Sequence, residues 1–135
     1  MRHPPPGHAL FLLAHHDDEV FCAGCIAGAL RQGRQVRLLW ATAGGLAPRR
    51  RRQREGETVS RMLGLAPEAH RSLGLPDQGA LDHLVPIGDA LQDMLDGVDG
   101  VFVPAYEGGH PDHDAVNLVA ARVCAGGPLV HEFSL

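Results

Sequence analysis

Two short clusters carry most of the chemistry available to this chain. Ala14-His15-His16-Asp17-Asp18-Glu19 packs two imidazoles and three carboxylates into consecutive positions, and His110-Pro111-Asp112-His113 sets two histidines three residues apart. Imidazole and carboxylate are ligands of a catalytic zinc, which keeps three protein donors and leaves a fourth position for water. His15, Asp18 and His113 can supply that set. Water on such a cation loses a proton near neutral pH, because the positive charge stabilises hydroxide. Asp17 is then the expected general base, if it faces the water and leaves the metal to its neighbour. His110 is the candidate for holding the oxyanion formed when hydroxide attacks a carbonyl, with Asp112 placed to orient or charge it.

Each cluster follows a short apolar run, residues 9–13 and 101–103. Such runs are expected of parallel strands buried on both faces. Further strands are expected over 36–41, 71–75 and 130–133. Helices are expected over 20–32, 53–63, 84–95 and 111–124, with a Gly- and Arg-rich loop over 43–52. Gly33, Gly64 and Gly97 stand where helices should stop, and Pro111 suits a first helical turn. Strands alternating with helices predict an α/β fold, a doubly wound and mainly parallel sheet with helices on both faces. In a 3-2-1-4-5 order, strands one and four are neighbours, and the order reverses between them. The crevice beyond their carboxyl ends is the default ligand site of such a sheet. The two clusters would meet there, although they lie far apart in the sequence. A helix opening near Val20 would also favour ionised carboxylates at its N-terminus.

An acidic pair at a helix start is commonly a cap, and a lone surface histidine signals nothing. Both clusters on adjacent strand ends make coincidence the weaker reading. Composition narrows the rest. At 135 residues the chain is one domain, with residues 1–8 expected as a flexible tail and 9–135 as the folded unit. Aromatics make up only 4%, so the core must rest on Leu, Val and Ala. All basic residues are Arg, a bias expected of a GC-rich bacterial genome, and the net charge of −4 argues against a nucleic-acid binder. Three cysteines are too few for a disulfide scaffold, which points to a reducing cytoplasm; no apolar run reaches transmembrane length.

The combined pattern resembles the LmbE-like, or PIG-L, zinc-dependent N-deacetylases of N-acetyl amino sugars. Their signature is Ala/Pro-His-Pro-Asp-Asp-Glu near the N-terminus and His-Pro-Asp-His later, on a Rossmann-like fold. Arg52-Gln53-Arg54-Glu55 resembles the family's Arg-x-x-Glu helix start, and Leu73-Gly74-Leu75-Pro76-Asp77 its third-strand segment. The resemblance implies metal ligands at His15, Asp18 and His113, a general base at Asp17, an oxyanion-stabilising His110 and a modulating Asp112. It also implies that Arg52 contacts the polar part of the substrate, that the metal is Zn2+ or another divalent ion, and that the substrate is an N-acetylated amino-sugar-containing small molecule.

Three departures stand out. His16 replaces the family's usual Pro, which could loosen the loop or offer a competing ligand. Gly45 stands where many members carry a substrate-contacting Glu. Members are generally longer, with a C-terminal segment walling the pocket; this predicts a fragment, a minimal version or a wall supplied by a partner chain. A homo-oligomer is compatible with that pattern. The competing function is a non-catalytic or truncated metal- and sugar-binding module of the same fold. Phosphoester hydrolysis is disfavoured because two-metal phosphatases usually need more carboxylate ligands. Gly44-Gly45 lacks the spacing of a dinucleotide fingerprint, so no nicotinamide cofactor is expected.

Other residues carry weaker expectations. Cys22 and Cys25, at i and i+3, are expected as small apolar fillers of a buried helix. Arg49, Arg50, Arg51, Arg52 and Arg54 are expected to form an anion-contacting rim. Tyr106 and Glu107 are expected at the pocket mouth. His70, His83 and His131 receive no role.

Overall fold

In this computed structural model, residues 7–43 and 49–135 are described. Most of the expected tail (1–6), together with Gly44 and Gly45, lies outside the described residues. His8, expected in the tail, instead opens the first strand, its N–H donating to the Gly97 carbonyl at 3.2 Å.

Among the described residues, five strands alternate with four α-helices: β1 (His8–Leu13), α1 (Glu19–Arg31), β2 (Gln35–Thr42), α2 (Arg49–Met62), β3 (His70–Leu75), α3 (Leu84–Asp93), β4 (Val98–Pro104), α4 (Pro111–Val123) and β5 (Leu129–Phe133). The sheet order is β3-β2-β1-β4-β5, and every neighbouring pair is parallel. The doubly wound α/β reading therefore holds.

Strand β1 explains why its sequence is apolar throughout. Ala9, Phe11 and Leu13 pack with Cys22, Ile26 and Ala29 of α1. Leu10 and Leu12 point to the other face, among Ile87, Ala90 and Leu91 of α3 and Val116, Val119 and Ala120 of α4. A strand covered on both sides has no polar alternation to show. Gly33 and Gly97 follow helices α1 and α3 with φ of 77° and 73°, left-handed values that glycine adopts without a Cβ clash.

The start of α2 corrects the sequence reading. Residues 49–52, expected in a loop, are the first turn of this helix. Arginine is a good helix former, and Arg51 Nε donates to Glu55 Oε1 one turn on, at 3.1 Å, so nothing local breaks the helix there. Helix α1 is apolar over most of its circumference, as expected, but is not covered all round: Val20 and Phe21 are exposed.

At the amino ends of the strands, Arg37 of β2 donates to the carbonyls of Met94 and Asp96 at 2.7 and 2.6 Å, clasping the end of α3. Its other nitrogen lies 3.0 Å from His8 Nδ1. The opposite, carboxyl ends of β1 and β4 are left to the loops that carry the histidine clusters.

Candidate active-site cleft and metal centre

The loop after β1 is folded by the acid it carries. Asp18 Oδ2 accepts the backbone N–H groups of Ala14 and His15 at 2.9 and 3.0 Å, so one carboxylate oxygen is committed to the turn and Oδ1 is left to face outward. Across the cleft, His110 caps α4. Its Nδ1 accepts the N–H of Asp112 at 3.1 Å, with Pro111 in the first turn. An accepting Nδ1 puts the proton of a neutral His110 on Nε2.

These two loops bring His15, Asp18 and His113 together. His15 Nδ1 is 3.2 Å from His113 Nε2 and 3.8 Å from Asp18 Oδ1, and His113 Nε2 is 3.5 Å from the same oxygen. Zinc bonds of about 2.0–2.2 Å in tetrahedral geometry place ligand atoms about 3.4 Å apart. The three donors already form such a triangle, so their chemistry and spacing fit a divalent cation.

Asp112 does not do what its position in sequence implies. Its carboxylate is fully buried, and the hydrogen bonds it accepts come from groups other than the His110 ring. It accepts from His15 Nε2 at 2.9 Å, Gln78 N–H at 2.8 Å and Ala80 N–H at 3.0 Å. Asp112 thus orients His15 rather than His110. The reason is local: the turn after β3, with Gln78 at φ 59°, aims backbone donors at this carboxylate. A second group, His15, Asp77, His110 and Asp112, also has its donor atoms within 4.8 Å of one another. Because Asp112 is already held by those three donors, the His15, Asp18 and His113 set is the better cation site.

The electrostatics agree. Burial alone would lower the pKa of His15, but the Asp112 and Asp18 carboxylates outweigh it and raise the imidazole to about 10. Burial likewise works against ionised Asp18, and hydrogen bonds from His113 and His15 prevail, holding it well below the usual carboxylate range. Asp112 is lowered too, burial again being overcome by His15 and the two backbone donors. A cluster that binds a proton this firmly offers a cation the same negative charge and the same lone pair.

The cleft has a volume of about 370 Å³, and its lining includes His15, Asp17, Asp18, Arg52, His110 and His113. Asp17 is half exposed, and its Oδ2 lies 3.6 Å from Arg52. Arg52 therefore reaches the site from the first turn of α2, not from a loop. Asp77, given no role from sequence, also lines the cleft, 3.5 Å from His15 Nε2. Its signals were its place just past the end of β3 and its position closing the family-like segment Leu73–Asp77. Tyr106 is 67% exposed and outside this lining, while Glu107 borders a neighbouring cavity of about 230 Å³. Of the two helix cysteines, Cys22 is buried as expected and Cys25 is exposed. His16 is absent from both groups of potential metal donors.

The family model described as PIG-L, GlcNAc-PI de-N-acetylase, matches residues 10–124. The chain belongs to the PIG-L family. Among solved structures, this PIG-L chain is similar to the conserved protein TT1542 from Thermus thermophilus. The two are 26% identical with a TM-score of 0.73, covering 95% of this chain and 64% of that one. It is also similar to the N,N'-diacetylchitobiose deacetylase of Pyrococcus horikoshii, at 25% identity and a TM-score of 0.72, over 88% of this chain and 49% of that one. Its fold is shared by the A40926 pseudoaglycone deacetylase Dbv21, at 24% identity and a TM-score of 0.75, over 96% and 64% of the two chains. The PIG-L chain thus spans from about half to just under two thirds of the length of these structures. No match is found among curated proteins. Among the described residues, no helix is long and apolar enough to cross a membrane.

Proposed function

We propose that this chain carries the active centre of a metal-dependent hydrolase that removes an N-acetyl group from an amino-sugar-containing small molecule. The observation that carries the reading is the triangle of His15 Nδ1, Asp18 Oδ1 and His113 Nε2, in a cleft that Asp17 and His110 also line. These three residues would hold the metal, with zinc as the expected ion. When bound, a divalent cation acidifies water and polarises an amide carbonyl.

The remaining steps belong to the side chains. Asp17 takes the proton released as the water oxygen bonds to the carbonyl carbon. His110 donates its Nε2 hydrogen to the developing oxyanion. Asp17, now protonated, or His110 delivers a proton to the amine nitrogen as the C–N bond breaks, giving acetate and a free amine. Asp112 acts through His15, fixing which imidazole nitrogen faces the cation. Arg52, beside Asp17, is the assigned contact for the polar part of the substrate.

The family description and the chitobiose deacetylase both name N-acetylated sugars, which is why we assign that amide. We place the protein in a reducing cytoplasm, in keeping with its three free cysteines. The second reading is a module of the same fold that binds metal and sugar without turnover. Acetate release from a panel of N-acetylglucosamine derivatives by metal-loaded protein separates the two. Release supports the hydrolase, and none from protein with metal confirmed at the site supports the binding module.

A further inference from the structure

His16 sits between two of the cluster residues, yet its ring turns away from them. It is 3% exposed. Its Nε2 is 2.7 Å from Ser72 Oγ on β3, and its ring stacks on Trp40 of β2 with centroids 4.5 Å apart. The remaining nitrogen, Nδ1, is buried without a hydrogen-bond partner and faces helix α2. The contact there is Gly56, where an added Cβ would fall 2.5 Å from Nδ1. The imidazole cannot easily retreat, because Ser72 and Trp40 hold its other edge and its face.

Gly56 is otherwise an odd choice. It lies inside α2, where only proline is less favourable than glycine, and no turn or positive φ calls for it. Its use is to let the helix backbone lie against the His16 ring. Arg52 is one turn earlier, on the same face of the helix at i−4, and it is the α2 residue that reaches Asp17.

We infer that His16 is a positioning residue: matched to the missing side chain at Gly56, it sets how closely α2 lies on the metal-ligand loop and so aims Arg52 at Asp17. That Arg52 then meets substrate rests on the deacetylase reading; the seating of the helix does not.

A double-mutant cycle with His16→Ala and Gly56→Ala tests this, read by thermal midpoint, by metal affinity and by the Nε–H NMR resonance of Arg52, assigned through Arg52→Lys. Gly56→Ala alone should lower the midpoint and shift the Arg52 resonance, with metal affinity unchanged within about twofold. In the His16→Ala background the same change should be neutral or raise the midpoint, and should leave the Arg52 resonance in place. If Gly56→Ala alone fails to fold, recovery of folding in the double variant supports the inference. Additive effects, an unmoved Arg52 resonance, or a double variant that folds no better than Gly56→Ala overturns it. On an N-acetylglucosamine substrate, Gly56→Ala should raise KM severalfold with little change in kcat; a kcat loss at constant KM also overturns it. Absence of any turnover by the unaltered protein counts against the deacetylase reading, while the NMR and stability cycle still decides this one.

Discussion

His15 and Asp112, from opposite halves of the chain, meet through an Nε2 to Oδ2 contact of 2.9 Å, with the carboxylate fully buried and held by two backbone N–H groups besides. A carboxylate fixed this way dictates the tautomer and ring angle of the imidazole it receives. It leaves Nδ1 as the nitrogen free to face Asp18 and His113.

Replacing Asp112 by Asn keeps its shape but removes the charge that His15 sees. Metal affinity should fall about 10–100-fold, the usual range for outer-shell partners of a ligating histidine. Competition with a chromophoric chelator measures it, and an affinity equal to that of the unaltered protein would show that Asp112 does not orient a ligand.

Base and ligand should separate by mutation. Asp17→Asn should retain metal but lose acetate release by about 10²–10⁴-fold, the range for a general base. His113→Ala should lose the metal itself. Elemental analysis beside an activity assay checks both; equal metal content in the two variants contradicts the assignment.

Metal and proton should compete at His15. Its pKa of about 10 in the metal-free protein means the imidazole is protonated at pH 8 and must give up about one proton when a cation binds. Calorimetry in buffers of differing ionisation heat should report that release, and metal affinity should rise with pH until it levels above pH 10. The same shift fixes a stability trend. A histidine whose folded pKa is raised above 6.5 stabilises the metal-free fold fully below that value, and the benefit is lost as pH climbs from 6.5 through about 10. Asp18 and Asp112 have the opposite sign: their lowered pKa values stabilise the fold above the ordinary carboxylate range, and the benefit is lost on acidification. A metal-free thermal midpoint that rises steadily from pH 7 to 10 contradicts the first trend.

Trp40 Nε1 donates to the buried Glu19 carboxylate at 3.2 Å, and burial raises the pKa of that acid. Trp40→Phe should destabilise the fold by about 1–3 kcal/mol through the unpaired acceptor, beyond any loss of packing. Denaturant unfolding tests it, and a loss that persists undiminished when Glu19→Met, which has no oxygen acceptor, is added would point to packing alone.

The sheet was legible because β1, β2 and β4 are largely buried and carry short apolar runs at 9–13, 38–41 and 101–103, and because the strand order then forces the two histidine clusters together. Strand β3 read weakly since it is an edge, with Arg71 exposed and His70 and Ser72 only partly covered. The partners of Asp112 were invisible for a different reason. Two of its three donors are backbone N–H groups of Gln78 and Ala80, which any residue but proline could supply. The start of α2 was missed because an arginine run looks like solvent-exposed loop, although arginine itself favours helix. Tyr106 shows the converse error: nearness in sequence to His110 did not bring it to the cleft.

The Arg37 clasp on Met94 and Asp96 lies at the far end of the strands from His15 and His113. Such separation makes the two ends nearly independent in free energy, since distant sites without shared partners usually add. Robustness to heat can therefore be raised or lowered from the floor of the sheet while the reactive rim is left as it is, a freedom that an engineer or natural selection could use.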